Sequence, residues 1–357
     1  MNTRKIEIGG NAPYVATVGR GLLASVALRA GGSAAVLTDR NVAPLHAARL
    51  GSLARAPLLA LEPGEGSKTL ATVERVLDFL AASDLDRRST LVALGGGVVG
   101  DVAGLAASLY MRGIALVQCP TSLVAQVDAA IGGKTGVNLA AGKNLAGTFH
   151  PPRAVIADVE TLATLPEREF RAGLGEVVKT ALVGDPGLLA LLEERAPAVL
   201  ARDPELLIEV VARCVRVKGA IVARDERERG ERKQLNLGHT FAHALELAAG
   251  FGRIPHGEAV AVGILLALEA SAHGGVLRDP ELPSRVARLF ERLGLPSSLA
   301  RLRERLATPL EPSAILSASR HDKKGAAGSP AFVLVEAAGK LVVDRVLPPA
   351  TLARILG

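Results

Sequence analysis

Hydrophobic and polar positions follow two rhythms along this chain of 357 residues. Through the first half, short unbroken apolar runs alternate with helical patterns. Ala34-Ala35-Val36-Leu37-Thr38-Asp39 is one such run, ending in a polar tip. Leu91-Val92-Ala93-Leu94, Ile114-Ala115-Leu116-Val117-Gln118-Cys119 and Ala154-Val155-Ile156-Ala157-Asp158 are others. Continuous runs of this length suit strands buried on both faces. Apolar spacing of three and four predicts helices over 70–81 and 98–110. The resulting βαβ order implies a parallel sheet covered by helices. His150-Pro151-Pro152 interrupts the pattern before the last run.

From about Thr164 the text is helical. Pro166-Glu167-Arg168-Glu169 opens a segment that runs through Leu182. Helical spacing recurs over 188–199, 204–224, 240–249, 258–273 and 283–293. Ala331-Phe332-Val333-Leu334-Val335 reads as a short late strand. The pattern therefore predicts two domains: 1–163, α/β with a Rossmann-like parallel sheet, and 164–357, mostly α-helical.

Composition narrows the class. Apolar residues make up 49% of the chain, aromatics only 3%, and there is no Trp, so the core must be aliphatic. The N-terminal segment lacks an apolar run of leader type, and the low-charge stretch 89–111 contains Asp101 and a glycine turn. Neither a secretory leader nor a membrane span is expected, which leaves the cytoplasm as the expected location. Cys119 and Cys214 form no motif and read as buried thiols. The net charge of +6 is scattered, and stacking platforms are scarce, so nucleic acid is not an expected partner. Of 42 basic residues only ten are Lys, and seven of those (Lys68, Lys134, Lys143, Lys179, Lys218, Lys323 and Lys324) fall in motif-like stretches. Compact ammonium charges placed there suit an anionic small molecule.

Those stretches carry the candidate chemistry. Gly95-Gly96-Gly97 follows a strand and opens a helix, where close backbone approach and the helix N-terminus favour a pyrophosphate. The same turn would also serve as a plain strand-to-helix connection. Asp39, at an earlier strand tip, suits a ribose hydroxyl, and Glu65 with Lys68 adds further polar contacts. Asp128 to Asn138 and Gly142-Lys143-Asn144 form a second glycine-rich polar segment, able to wrap an oxyanion or to act as an ordinary loop. Glu176, His239 and His256 offer one carboxylate and two imidazoles, a set that leaves one position of a metal open for substrate oxygen. Glu176 with Lys179 would equally make a salt-bridged helix pair, and His239 with His243 a surface pair. A metal and a dinucleotide together permit oxidation of an alcohol.

The ordered set resembles the 3-dehydroquinate synthase family of sugar phosphate cyclases. It comprises Gly95 to Asp101, Asp128 to Asn138, Gly142 to Leu145, Gly175-Glu176-Val177-Val178-Lys179, Lys218 with Asp225 to Glu228, Leu235 to Thr240, Pro255-His256-Gly257-Glu258 and Asp322-Lys323-Lys324. The match also takes in Pro63-Gly64-Glu65 with Lys68, and Thr164-Leu165-Pro166. The resemblance implies NAD and Zn²⁺ (or Co²⁺), and conversion of 3-deoxy-D-arabino-heptulosonate 7-phosphate to 3-dehydroquinate and phosphate on the shikimate route. It implies Glu176, His239 and His256 as metal ligands. Asp128, Lys134, Lys143, Asn144, Lys179, Lys218, Glu228, Arg232, Asn236, His243 and a lysine of Lys323-Lys324 would contact substrate or move protons. Asp39, Glu65, Lys68, Gly95, Gly96, Gly97, Asp101, Thr121, Ser122 and Thr164, together with Lys134 and Lys143, fall where the cofactor lies. A homodimer is implied as well.

The chain departs from the family pattern at Glu231, at Ala129 and Ala130, and at Ser319-Arg320-His321, positions that touch loop detail. Two other readings share the motifs: a cyclase making an inosose or a valiolone, and a metal-dependent polyol dehydrogenase that would release NADH.

Overall fold

Each apolar run in the first half has two faces to bury, and the sheet it joins is covered on both. The computed structural model describes residues 2–250, 252–306, 310–319 and 330–357. The chain divides into two compact units, Met1–Pro166 with Pro204–Arg227, and Glu167–Asp203 with Glu228–Gly357.

The described strands of the first unit are β1 (Arg4–Ile8), β2 (Tyr14–Gly19), β3 (Ala34–Asp39), β4 (Leu58–Leu61), β5 (Thr90–Gly95), β6 (Ala115–Pro120), β7 (Lys134–Leu139), β8 (Gly142–Phe149) and β9 (Ala154–Asp158). The main sheet has the order β1-β2-β9-β6-β5-β3-β4. β1 is antiparallel to β2, and the other neighbours are parallel. Ala35, Leu37, Leu91, Ala93 and Leu116 face the helices Leu70–Ala82 and Gly97–Leu109, packing on Val76, Leu80, Val102 and Ala106. The intervening Ala34, Val36, Val92, Leu94, Val117 and Cys119 fill the opposite face with Leu23, Val26 and Leu50. Two dry faces explain why these strands show no polar alternation. Thr69 caps the helix Leu70–Ala82 by accepting from the Thr72 backbone N–H at 3.2 Å.

The structure differs from the sequence reading in several places. Helix Pro204–Arg224, expected in the second domain, belongs to the first unit, where it packs against β1 and β2. The first crossing falls after Pro166, not after residue 163. The glycine-rich segments 128–138 and 142–144 are not loops throughout. Much of them forms the β7–β8 hairpin, with Lys134 opposite Phe149 and Gly136 opposite Gly147. Val137, buried among the sheet's helices, anchors it. The sequence pattern did not reveal β1 and β2, where polar residues break the apolar run, or β4, which is apolar but only four residues long.

In the second unit the helices Glu167–Gly184, Pro186–Leu200, His239–Ala249, Leu282–Arg292 and Pro349–Leu356 all contact helix His256–His273 or its neighbours. That helix is buried almost without interruption from Gly257 to Leu268, which marks it as the centre of the unit. The late strand is β10 (Phe332–Ala337), paired antiparallel with β11 (Lys340–Arg345). Among the described residues no helix is long and apolar enough to cross a membrane. Cys119 and Cys214 are both buried and neither forms a disulfide, and burial, with the nearby Asp158 charge, pushes the Cys119 thiol far up, so it stays protonated.

One buried carboxylate ties the first unit's central strands to its opening loop. Asp158, wholly buried at the end of β9, accepts from the backbone N–H groups of Gly21 (3.1 Å), Leu22 (2.9 Å) and Glu160 (3.1 Å). Arg49 Nη2 lies 3.2 Å from it. Asp158→Ala leaves those donors without their acceptor and should lower unfolding free energy by about 3–5 kcal/mol. Denaturant unfolding checks this, and a loss below about 1 kcal/mol would refute the role.

Candidate active site

Three helices of the second unit meet through glycine. A Cβ on Gly257 would stand 1.8 Å from the Ala172 carbonyl oxygen, and one on Gly175 would stand 2.4 Å from that of Gly257. Only bare backbone allows Glu167–Gly184 and His256–His273 to approach so closely. Gly263 meets the Gly238 carbonyl in the same way, at 2.2 Å, and Gly238 takes a φ of +77° just before helix His239–Ala249. Gly175 precedes Glu176, Gly238 precedes His239, and Gly257 follows His256. Each close crossing therefore delivers a polar side chain to a common point.

At that point the ligand-type atoms of Glu176, His239 and His256 all lie within 4.8 Å of one another. Glu176 Oε1 is 3.7 Å from His239 Nε2 and 3.4 Å from His256 Nε2. Two donors about 2.0–2.1 Å from one tetrahedral ion sit roughly 3.4 Å apart, so the spacing matches a shared cation. Neither Glu176 oxygen, fully buried, has a hydrogen bond of normal geometry, although Lys179 Nζ stands 2.5 Å from Oε2. The Nδ1 of His239 donates to the Leu237 carbonyl at 3.3 Å, and the Nδ1 of His256 lies 3.4 Å from Glu246 Oε1. These partners place a proton on Nδ1 of both rings and turn each Nε2 toward the carboxylate, the nitrogen that would ligate an ion once it is unprotonated. An under-coordinated buried carboxylate with two such imidazoles fits a divalent ion of zinc's chemistry.

The electrostatics are those of a packed charge cluster. Burial raises the Glu176 carboxyl, but the Lys179 ammonium and then the two imidazoles outweigh it and hold the group well below its ordinary range. Burial, reinforced by Lys179, holds the His239 imidazole well below its usual value despite Glu176. His256 is also pushed down by burial, yet its contacts with Glu176 and Glu246 reverse the sign and raise it. The His243 ring lies 5.5 Å from that of His239 and 6.2 Å from that of His256, centroid to centroid. Asn236 Nδ2 donates to Glu228 Oε1 at 2.5 Å, and Arg232 is buried at 2% exposure in the same unit. Lys323 and Lys324 lie outside the described residues.

In the first unit Asp39, the Gly95–Gly97 turn and Thr121-Ser122 lie at the C-terminal ends of parallel strands. β5 runs into Gly95, Gly96 caps, and helix Gly97–Leu109 begins, so the helix N-terminus opens at that edge. Thr121 N–H donates to the Gly95 carbonyl at 2.9 Å, which sets Thr121-Ser122 beside the turn. The Asp39 carboxylate caps its own turn, accepting from the N–H groups of Asn41 and Val42, both at 2.9 Å. Lys68 Nζ is held between Asp101 Oδ2 at 2.6 Å and Asn144 Oδ1 at 2.5 Å. Burial raises the Asp101 carboxyl, and Lys68 offsets only part of this. Asn138 donates to Glu65 Oε1 at 2.9 Å, and Asn138 Oδ1 accepts from the Asn144 N–H at 2.9 Å, tying the hairpin to the Glu65–Lys68 turn. Lys134 and Lys143 ride on that hairpin. Lys218, from helix Pro204–Arg224, reaches the Asp128 carbonyl at 2.8 Å and its carboxylate at 2.6 Å. Thr164 Oγ1 lies 2.8 Å from His46 Nε2.

Residues 58–172 match the 3-dehydroquinate synthase N-terminal family and residues 173–325 the 3-dehydroquinate synthase C-terminal family. The chain belongs to the 3-dehydroquinate synthase family. The 3-dehydroquinate synthase of Acidithiobacillus ferrooxidans is 44% identical over 97% of this chain and 95% of its own length. That of Paracoccus denitrificans is 44% identical over 100% and 98%. Among solved structures, a 2-deoxy-scyllo-inosose synthase complexed with carbaglucose-6-phosphate, NAD⁺ and Co²⁺ superposes with a TM-score of 0.86, at 28% identity and 99% coverage of each chain. The 2-epi-5-epi-valiolone synthase of Streptomyces hygroscopicus, with NAD⁺ and Zn²⁺ bound, gives 0.85 at 30% identity, covering 96% of this chain and 95% of its own.

Within this 3-dehydroquinate synthase fold, Glu246 is the residue that sequence reasoning missed. Its signal was available: His239, His243 and Glu246 stand at i, i+4 and i+7, one face of a helix. The glycine crossings yield a prediction. Gly257→Ala forces two backbones apart and should destabilise the protein by about 3 kcal/mol. It should also lower the Zn²⁺ content that remains after desalting, relative to the unaltered protein loaded in the same way. Thermal unfolding and metal content per chain measure the two effects, and an unchanged pair would dismiss the crossing as the source of the geometry.

Proposed function

We infer that this chain is a 3-dehydroquinate synthase: a carbon–oxygen lyase, dependent on NAD and a divalent metal, that converts 3-deoxy-D-arabino-heptulosonate 7-phosphate to 3-dehydroquinate and phosphate. The observation that carries the reading is the convergence of Glu176, His239 and His256 on one point. Identity separates it from its alternatives. The dehydroquinate relatives stand at 43–44%, against 28% and 30% for the inosose and valiolone cyclases. Glycerol dehydrogenases share the fold at 20% identity or less, which speaks to fold alone. A cytoplasmic homodimer without membrane or nucleic-acid partners belongs to the same reading, on the strength of the family.

Glu176, His239 and His256 would hold the metal, leaving a position for a substrate oxygen. The metal, when bound, would supply Lewis acidity toward a substrate hydroxyl, and NAD would supply a reversible hydride acceptor, so that no net oxidation results. This chain's residues do the rest. Lys179 keeps Glu176 ionised and places an ammonium beside the reacting oxygen, where it assists proton departure. Gly95, Gly96 and Gly97 present helix N–H groups to the pyrophosphate, with Asp39, Glu65, Lys68, Asp101, Thr121, Ser122 and Thr164 around the nucleoside portions. Lys134, Lys143, Asn144, Arg232, Asn236, His243 and one of Lys323 and Lys324 supply the donors that a carboxylate and a leaving phosphate require. Asp128 orients the Lys218 ammonium, and Glu228 orients the Asn236 amide.

Purified protein with Zn²⁺, catalytic NAD⁺ and the heptulosonate phosphate should release inorganic phosphate with no accumulation of NADH. NADH building up on a simple polyol would favour the dehydrogenase reading instead. Glu176→Ala should abolish turnover, by more than about 10³-fold, and lose the metal; full activity with metal retained would sink the ligand assignment. Lys68→Met should raise the Kd for NAD⁺ by about 10-fold or more in fluorescence titration, as one charged contact is removed.

A further inference from the structure

We propose that Glu246 is a positioning residue for the metal centre: its carboxylate grips the far nitrogen of the His256 ring and aims the near nitrogen at the ion. The proposal rests on the metal-site reading above and extends it to the group behind one ligand. His256 Nδ1 lies 3.4 Å from Glu246 Oε1, and His256 Nε2 lies 3.4 Å from Glu176 Oε1. One imidazole thus spans two buried carboxylates, at 0% and 4% side-chain exposure. A carboxylate that deep in an aliphatic unit needs a charged or polar partner to be tolerated. His256 is such a partner, and it stands where the second carboxylate can orient it.

Neighbouring residues explain why the task falls to Glu246. His256 is the first residue of its helix, after Pro255, and its side chain is more exposed, at 38%, than that of His239 at 13%. A ring at a helix start with one open side is poorly restrained by packing. His239 is better enclosed and has the Leu237 carbonyl on its Nδ1 at 3.3 Å. The two imidazoles therefore receive unlike support: a neutral carbonyl for the enclosed ring, a carboxylate for the open one. A carboxylate behind a histidine also makes its metal-binding nitrogen more basic, and loss of such a partner typically costs 10–100-fold in metal affinity. Glu246 sits seven residues after His239 on helix His239–Ala249, so the same helix supplies one imidazole and the support for the other.

The test is equilibrium metal binding, independent of turnover. Zn²⁺ affinity is measured by chelator competition, and Co²⁺ binding by its visible ligand-field spectrum, in the unaltered protein, E246Q, E246A and each of these in a His256→Ala background. Glu246→Gln preserves size and a hydrogen-bonding group, so it guards against simple misfolding. Zn²⁺ affinity is expected to fall about 10-fold in E246Q and up to about 100-fold in E246A, with an altered Co²⁺ band shape. In the His256→Ala background the same changes should cost less than about 2-fold, because the ring through which Glu246 acts is gone. Equal affinities for E246Q, E246A and the unaltered protein would overturn the proposal. A full loss that persists without His256 would also overturn it, by showing a merely structural role. If the unaltered protein binds neither ion, the metal-site reading itself fails, an outcome distinct from both.

Discussion

The second unit depends on helices that touch backbone to backbone. Side chains ordinarily hold helix axes 8–10 Å apart. At Gly175 with Gly257, and at Gly238 with Gly263, no side chain intervenes, and the main chains meet directly. Each crossing lies one residue from Glu176, His239 or His256. With the backbones held that near, the carboxylate and the two imidazoles have little freedom in where they meet. The glycines thus convert helix packing, a matter of stability, into coordination geometry, a matter of chemistry. Helix His256–His273, apolar on nearly every side, supplies the common surface against which both partners are pressed.

Such packing gathers charge in a place that ordinarily rejects it. Glu176 and Lys179 are buried at 0% and 1% exposure, and two imidazoles stand within reach of the same carboxylate. Breaking a buried pair of this kind costs more than its formation gains, so the cluster is no aid to stability. Its retention is understandable if an ion completes it. A cation placed among Glu176 Oε1 and the two Nε2 atoms would give each orphaned lone pair a partner. The Lys179 charge then serves a second purpose, since it keeps Glu176 ionised whether or not the ion is present.

Legibility in the sequence followed the range of the interactions concerned. The central strands were readable because each unbroken apolar run reports its own two-sided burial, and the metal cluster because Glu176, His239 and His256 each sit in a distinctive glycine-flanked stretch. The reason for those glycines was not readable: Gly257 and Ala172 are distant in sequence, and nothing local says that a carbonyl will press on that glycine. The β7–β8 hairpin was hidden by its glycines, which read as loop although Gly136 and Gly147 face each other across a ladder. Glu246 was hidden by its ordinariness, one glutamate in a helix, whose meaning depends on a ring ten residues further on.

Helix Pro204–Arg224 shows the limit most clearly. Its apolar spacing matches that of the helices before and after it, so a reading of the chain in order assigns it to the helical half. Yet it packs on β1 and β2 and carries Lys218 to Asp128, ninety residues upstream. Lys218 is 8% exposed, and an ammonium so enclosed requires a fixed counter-charge. Asp128 meets that need with its carboxylate at 2.6 Å and adds a hydrogen bond to its carbonyl at 2.8 Å, both from within a π-helical turn. The pair therefore fixes the helix to the sheet unit by polar as well as apolar contact. A lysine encoded late in the chain acts with a loop encoded early because the fold returns to its first unit before completing its second.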